Sequence, residues 1–268
     1  MNAPALASPL APRRRLLAAN AASLVLAYVL PRACTLLATV AAARILGAAE
    51  FGVYATAGAV AVVASIVATV GMQPLLVREV ARAPWDAPGL VGAAHLVKAG
   101  TVVLMAVVLA ATPFLDFPPP VVAAAVLLGA GYGIGAFVDN LAAYFQGVER
   151  MHVWTEASTL LGIVSGGVGI ALVVATHDLL WLCAAPALGQ AAALLWLLGR
   201  TPEGVRRPPL PSAAAVAALL RKLAPFALAF LATTLFYRAD VLLLSRLRAP
   251  EEVGLYGAAY RFLDVAQA

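Results

Sequence analysis

Arg32, Arg238 and Arg261 each stand inside a long apolar stretch, where a guanidinium has little water to hold it. An arginine at the centre of a membrane-spanning helix costs about 2.5–3.5 kcal/mol on insertion scales, and such groups mark ligand paths or buried pairs. Arg32 follows Pro31 near the middle of its run, about 17 Å from either end at 1.5 Å of rise per residue. Tyr28, Arg32, Thr35 and Thr39 recur at i, i+4, i+7 and i+11 and so share one helical stripe. That stripe is expected to face a hydrated cavity; the alternative is a structural pair between Arg32 and a buried carboxylate. A later run carries Thr233, Thr234, Tyr237, Arg238 and Asp240. Arg238 and Asp240 are two residues apart and cannot face each other on a helix. Arg238 is therefore a second candidate for the cavity wall, and Arg261 a third. Asp240 either binds a coupling cation or proton, or pairs with Arg32 or Arg261. Asp139, beside Asn140, is open to ion coupling, cavity lining or inter-helix hydrogen bonding. Lys98 reads as shallow enough to snorkel to the membrane surface.

Other chemistries find no support in the spacing. His95, His152 and His177 are scattered without Glu or Cys at ligand intervals, so no metal and no cofactor is expected. Cys34 and Cys183 both fall in apolar runs and form no disulfide framework. The glycine tract Gly129, Gly131, Gly133, Gly135 is not a phosphate loop, because no strand and no Gly-Lys-Ser/Thr accompany it. Like Gly162, Gly166 and Gly169, these glycines read as close-packing positions between helices.

The elements that must position these groups follow from composition. The 268 residues are 63% hydrophobic and only 12% charged, with a mean hydropathy of +0.93. Soluble domains are nearer 45–50% apolar and about 25% charged, so the chain reads as an all-α integral membrane protein. Long apolar runs without period-2 alternation exclude a barrel. The net charge of +5 is assigned to basic loops facing anionic lipid rather than to nucleic acid. Arg13-Arg14-Arg15 resembles the head of a signal peptide, but the run from Ala18 to Ala43 exceeds an h-region of about 7–15 residues. It reads as an uncleaved first helix.

Eight spans are expected: Asn20–Ala43, Gly52–Val77, Leu90–Phe114, Val121–Phe145, Trp154–Ala175, Leu179–Gly199, Leu223–Leu247 and one starting near Val253. Of 18 Lys and Arg, 11 fall on one side, three on the other and four within spans. The positive-inside rule then puts the N-terminus in the cytoplasm, in a multi-pass inner-membrane topology. Residues 1–18 form a cytoplasmic tail and 19–200 an N-terminal lobe of six helices. Residues 201–222 form a linker, its Pro-rich half followed by an interfacial helix capped by Ser212. Residues 223–268 begin a C-terminal lobe. A second lobe of equal size needs more residues, so a fragment or truncated gene product is expected.

The two lobes are signalled by a repeat. Arg44, Glu50, Gly52 and Tyr54 return at the same spacing as Arg246, Glu252, Gly254 and Tyr256, 202 positions later. Each set sits between two apolar runs, as in transporters built from two lobes. With six helices between them, the copies are parallel, their axis along the membrane normal.

Several stretches resemble the polysaccharide-biosynthesis exporters of O-antigen flippase type, in the multidrug/oligosaccharidyl-lipid/polysaccharide superfamily. They are Arg44-x-Leu-Gly-x-x-Glu-Phe-Gly-x-Tyr54, Gly71-x4-Leu-Val-Arg-Glu79, Phe145-Gln-Gly-x-Glu-Arg-Met151 and Arg238-x-Asp-x-Leu-Leu-Leu-Ser245 running into Glu252-Val-Gly-x-Tyr256-x-x-Ala-Tyr-Arg261. The resemblance implies a two-lobed helical bundle with a cationic central cavity, a role falling on Arg32, Arg238 and Arg261, with Tyr28 and Thr35 beside them. The expected activity is translocation of a polyprenyl-pyrophosphate-linked saccharide, with the bilayer and glycan-assembly proteins as partners and no nucleic acid. A multidrug or small-cation exporter is one rival, disfavoured by like charge. A membrane-embedded glycan polymerase, ligase or glycosyltransferase is another, disfavoured by short outer loops and the absence of a paired acidic site.

Overall fold

A computed structural model describes residues 10–69 and 71–266, apart from the side chains of residues 10–21, 24, 67, 69, 230, 234, 235, 238 and 261–266. The first helix, α1 (Leu10–Thr69), would be about 90 Å long if straight, but it is broken at Gly47, whose φ of 84° and ψ of 173° are not helical. That conformation is open to glycine because it has no Cβ. The two arms, 10–46 and 48–69, fold back on one another: the Gln73 side-chain amide, just past the second arm, donates to the Tyr28 hydroxyl at 3.3 Å. The apolar stretch Val25–Ile66 thus makes two crossings in its 42 residues.

The second arm stops sooner than hydropathy indicates. Gly71 takes a left-handed φ of 64° and a new helix, α2 (Met72–Arg82), begins. The expected span Gly52–Val77 is therefore two elements. Met72, Leu75, Leu76 and Val80 fall on one face of α2 and are buried, while Arg78 and Arg82 are exposed. This is an amphipathic helix rather than the end of a span.

Further crossings come from α3 (Ala87–Ala110) and α4 (Pro119–Gly147). Next, α5 (Met151–Ile163) and α6 (Gly169–Thr176) are joined through a π-helical turn, Val164–Val168, into one apolar stretch. Asp178 caps α7 (Leu179–Arg200) by accepting from the Leu180 amide at 2.9 Å. After a single turn, α8 (Glu203–Arg206), Ser212 caps α9 (Ala213–Leu247) through the Ala215 amide at 3.2 Å. The expected break between an interfacial helix and a seventh span is absent. Helix-favouring Ala and Leu run straight through to Pro225, and Leu219 and Leu223 bury in the same cluster. The last helix is α10 (Pro250–Ala266).

The bundle is an all-α integral membrane architecture in its packing as well as its composition. Small side chains sit inside (Ala42, Ala57, Ala61, Ala124, Ala142), whereas Leu37, Val103, Val107 and Leu195 face outward. Without a hydrophobic drive between helices in lipid, close van der Waals packing of small residues holds them together. The glycine tract of α4 serves two neighbours. Gly129 and Gly133 face Leu109, Met105 and Val102 of α3; Gly131 and Gly135 face Pro186, Ala187 and Gln190 of α7. One buried cluster gathers at the Gly71 end of the bundle, around Leu76, Val91, Phe145, Trp154 and Leu197. A second gathers at the Gly47 end, around Phe51, Leu109, Val121 and Leu182.

Candidate functional site

Two cavities meet the polar stripe of α1 at different heights. The first, about 220 Å³, lies among both arms of α1, α4, α7, α9 and α10. Its polar lining is Thr35, Tyr54, Tyr132, Gln190 and Tyr260, and Gly58, Gly131 and Gly257 complete the wall. Gln190 Oε1 is buried without a partner. The second cavity, about 390 Å³, opens at the Gly71 end and is lined by Tyr28, Gln73, Pro74, Val77, Arg78 and Gln146. Tyr28 and Thr35 are about 10 Å apart along the helix at 1.5 Å per residue, with Arg32 between them.

Arg32 is exposed, and its guanidinium donates to the Tyr28 carbonyl at 3.3 Å. Its Cζ lies 5.4 Å from the centre of the Tyr28 ring, a cation–π contact. The sequence placed Arg32 near mid-span. The structure puts it one helical turn from Tyr28, which is level with Gln73 just beyond the end of the second arm. The side chain leans toward that end. The hydroxyls of Thr35 and Thr39 bond back to the carbonyls of Pro31 and Thr35 at 2.9 and 2.7 Å, a local arrangement that leaves the stripe's polarity turned partly inward on the helix. Close packing fixes the stripe: Gly162 meets Pro31, and Gly166, in the π-helical turn, meets Cys34.

Lys98 does not snorkel. It is 1% exposed, and its ammonium donates to the Ala68 carbonyl at 2.7 Å. Where the second arm of α1 ends, its last carbonyls lack helical partners, and Lys98 supplies one. Asp139 of α4 lies within electrostatic reach of Lys98. Asn140, fully buried, has neither side-chain polar atom paired. Asp240 accepts from the Tyr256 hydroxyl at 2.6 Å and from the Val241 amide at 2.7 Å, which ties α9 to α10. The side chains of Arg238 and Arg261 lie outside the described residues.

The recurring residues take different positions. Gly52 and Gly254 are both buried, Gly52 against Pro250 and Gly254 against Ala48. Tyr54 is buried beside Phe51, whereas Tyr256 is half-exposed on Asp240. Arg246 donates to the Leu115 carbonyl and stacks 4.2 Å over Phe117. Glu252 pairs with Arg248 at 3.8 Å. Arg44 and Glu50 are exposed.

Charge collects at the Gly71 end. Glu79 receives Lys222 at 2.6 Å, Arg78 at 3.2 Å and Arg82 at 3.6 Å, three cations on one carboxylate. The hydrogen bond from Lys222 leads in holding the Glu79 carboxyl below its ordinary range; partial burial opposes it. Gln73, Gln190 and Tyr132 were not predicted from the sequence, and Gln146 and Tyr260 stood there only as members of the family-like motifs, without a site role. A further signal was the presence of glutamines in otherwise apolar stretches. Among the described residues no cluster of three His, Cys, Asp or Glu side chains could hold a metal ion.

Comparison with known proteins gives one finding. The sequence model of a family described as polysaccharide biosynthesis protein matches residues 17–268. No curated protein and no solved structure matches.

Proposed function

The chain belongs to the polysaccharide biosynthesis protein family, and from that premise we propose that it is a flippase for a polyprenyl-pyrophosphate-linked saccharide. The single observation carrying this reading is the polar face of α1, whose Thr35 and Tyr28 each line a cavity, with the exposed Arg32 on the helix between them. A saccharide diphosphate must cross about 30 Å of hydrocarbon. A cavity within the bundle keeps the headgroup hydrated while the lipid tail stays in the bilayer. Arg32 offers the diphosphate charge-assisted hydrogen bonds, stronger than neutral ones. By the same reading Arg238 and Arg261, carried by α9 and α10, supply further cations for the diphosphate, and Asp139 is the candidate for ion coupling. The N-terminus lies in the cytoplasm, so the Gly71 end faces the cytoplasm and the Gly47 turn faces outward. Exposure of the cavity to each side in turn completes transport.

The test is Arg32→Ala in cells whose surface glycan depends on this chain. Surface glycan is expected to vanish while the protein remains at normal level in the membrane. Normal export by the variant refutes the assignment.

A further inference from the structure

The cavity at the Gly71 end is separate from the chamber around Thr35. Its walls come from three elements: Tyr28 of α1, Gln73, Val77 and Arg78 of α2, and Gln146 of α4. Gln146 is 9% exposed and its Nε2 is buried without a partner. An unsatisfied buried amide costs about 1–3 kcal/mol, and in a native structure it calls for an explanation. The neighbouring groups point to a ligand as that explanation. Tyr28 already accepts from Gln73 at 3.3 Å, which leaves its own proton to donate. Arg78 adds a guanidinium, half-exposed and engaged with Glu79 through Nε and Nη2. Around the single carboxylate Glu79 stand three cations, Arg78, Arg82 and Lys222, and the Arg32 guanidinium lies 5.4 Å from the Tyr28 ring centre. A pocket of convergent donors with excess positive charge fits an acceptor-rich anion.

We infer that Tyr28, Gln73, Arg78 and Gln146 form a docking site for a phosphate or diphosphate group at the membrane surface. The inference rests on the flippase reading and deepens it: the site receives the lipid-linked diphosphate before Arg32 draws it toward the Thr35 chamber. The amphipathic α2 belongs to this function. By ending the second arm at Gly71 and lying against α4, it brings Gln73 and Arg78 to Gln146, which lies more than 65 positions further along the chain.

The experiment uses the full chain in lipid nanodiscs, with undecaprenyl diphosphate, undecaprenol and inorganic pyrophosphate as probes and tryptophan fluorescence as readout. Gln146→Leu removes the orphan amide at similar volume, and Tyr28→Phe removes one hydroxyl. The expected result is a loss of about tenfold or more in affinity for undecaprenyl diphosphate in both variants, the scale of one charge-assisted hydrogen bond. The melting temperature of Gln146→Leu should stay unchanged or rise, because no buried polar group is left over. Binding of undecaprenyl diphosphate by the lipid tail alone would show as equal affinity for undecaprenol and overturns the site. Equal affinity for inorganic pyrophosphate identifies a soluble anion as occupant and supports the phosphate chemistry without the lipid. Wild-type affinity in both variants overturns the proposal. Flipping of a labelled lipid-linked saccharide, measured in vesicles with the same proteins, separates the two readings. Transport with wild-type affinity in the variants sinks only the docking site, and diphosphate binding without transport sinks only the flippase.

Discussion

Gly52 and Gly254 hold reciprocal positions: the Pro250 carbonyl fills the space of a Cβ on Gly52, and the Ala48 carbonyl does so for Gly254. Each partner lies four residues before the other's glycine, and Gly257 meets Ala55 between them. A shift of 202 positions turns the Gly52–Pro250 pairing into the Gly254–Ala48 pairing and carries Ala55 onto its own partner, Gly257. A two-fold relation between the hairpins would produce that pattern. Alanine at either glycine forces the hairpins apart. Gly52→Ala and Gly254→Ala should each destabilise by about 1–3 kcal/mol, the cost of overpacking. Together they should cost less than the sum, since the first opens the shared interface. Melting curves of the two single variants and the double variant check this; strictly additive losses would count against a shared contact.

Lys98 gives a second prediction. Lys98→Met leaves the Ala68 carbonyl unpartnered and Asp139 without its nearby cation, so a loss of about 1–3 kcal/mol is expected. A lysine reaching the membrane surface would instead cost no more than about 0.5 kcal/mol. Adding Asp139→Asn should recover part of the loss, because the remaining carboxylate charge is removed. Thermal unfolding in detergent distinguishes these outcomes.

Glu79 supplies a pH dependence. Its carboxyl is held below the ordinary value of 4.5, first by the Lys222 hydrogen bond. A depressed carboxylate contributes stability that is fully present above its unfolded value and is lost as pH falls through the folded one. The melting difference between the wild type and Glu79→Gln should therefore be constant from pH 7 down to about 5, then shrink with further acidification. A difference that grows below pH 5 would contradict the sign.

Much of the architecture was legible because it depends on apolar length. The crossings by α3 through α7 follow from runs of about 20 apolar residues, and the hairpin of α1 from the polar turn between two such runs. The break at Gly71 was hidden. Met72, Leu75, Leu76 and Val80 continue the apolar content, and their arrangement on one face becomes visible only once the helix has turned. Lys98 was misread for a related reason. Its depth in the sequence says nothing of the Ala68 carbonyl, which is free only because the second arm stops there. The polar pocket was beyond composition altogether, since Tyr28, Gln73 and Gln146 meet only through the packing of α1, α2 and α4.

Asp240 offers the final prediction. Its carboxylate takes the Tyr256 hydroxyl at 2.6 Å, a bridge between α9 and α10. An asparagine at this position still accepts that hydrogen bond through its carbonyl oxygen, but it removes the charge that a coupling cation or proton requires. Tyr256→Phe does the reverse: it keeps the charge and removes the bridge. A structural tie predicts that Tyr256→Phe lowers stability by about 0.5–1.5 kcal/mol while Asp240→Asn exports normally. A coupling site predicts that Asp240→Asn abolishes export and Tyr256→Phe retains it. Because the hydroxyl already occupies one carboxylate oxygen and the Val241 amide the other, the expected outcome is the structural one. Export and melting temperature measured on the same two variants decide it.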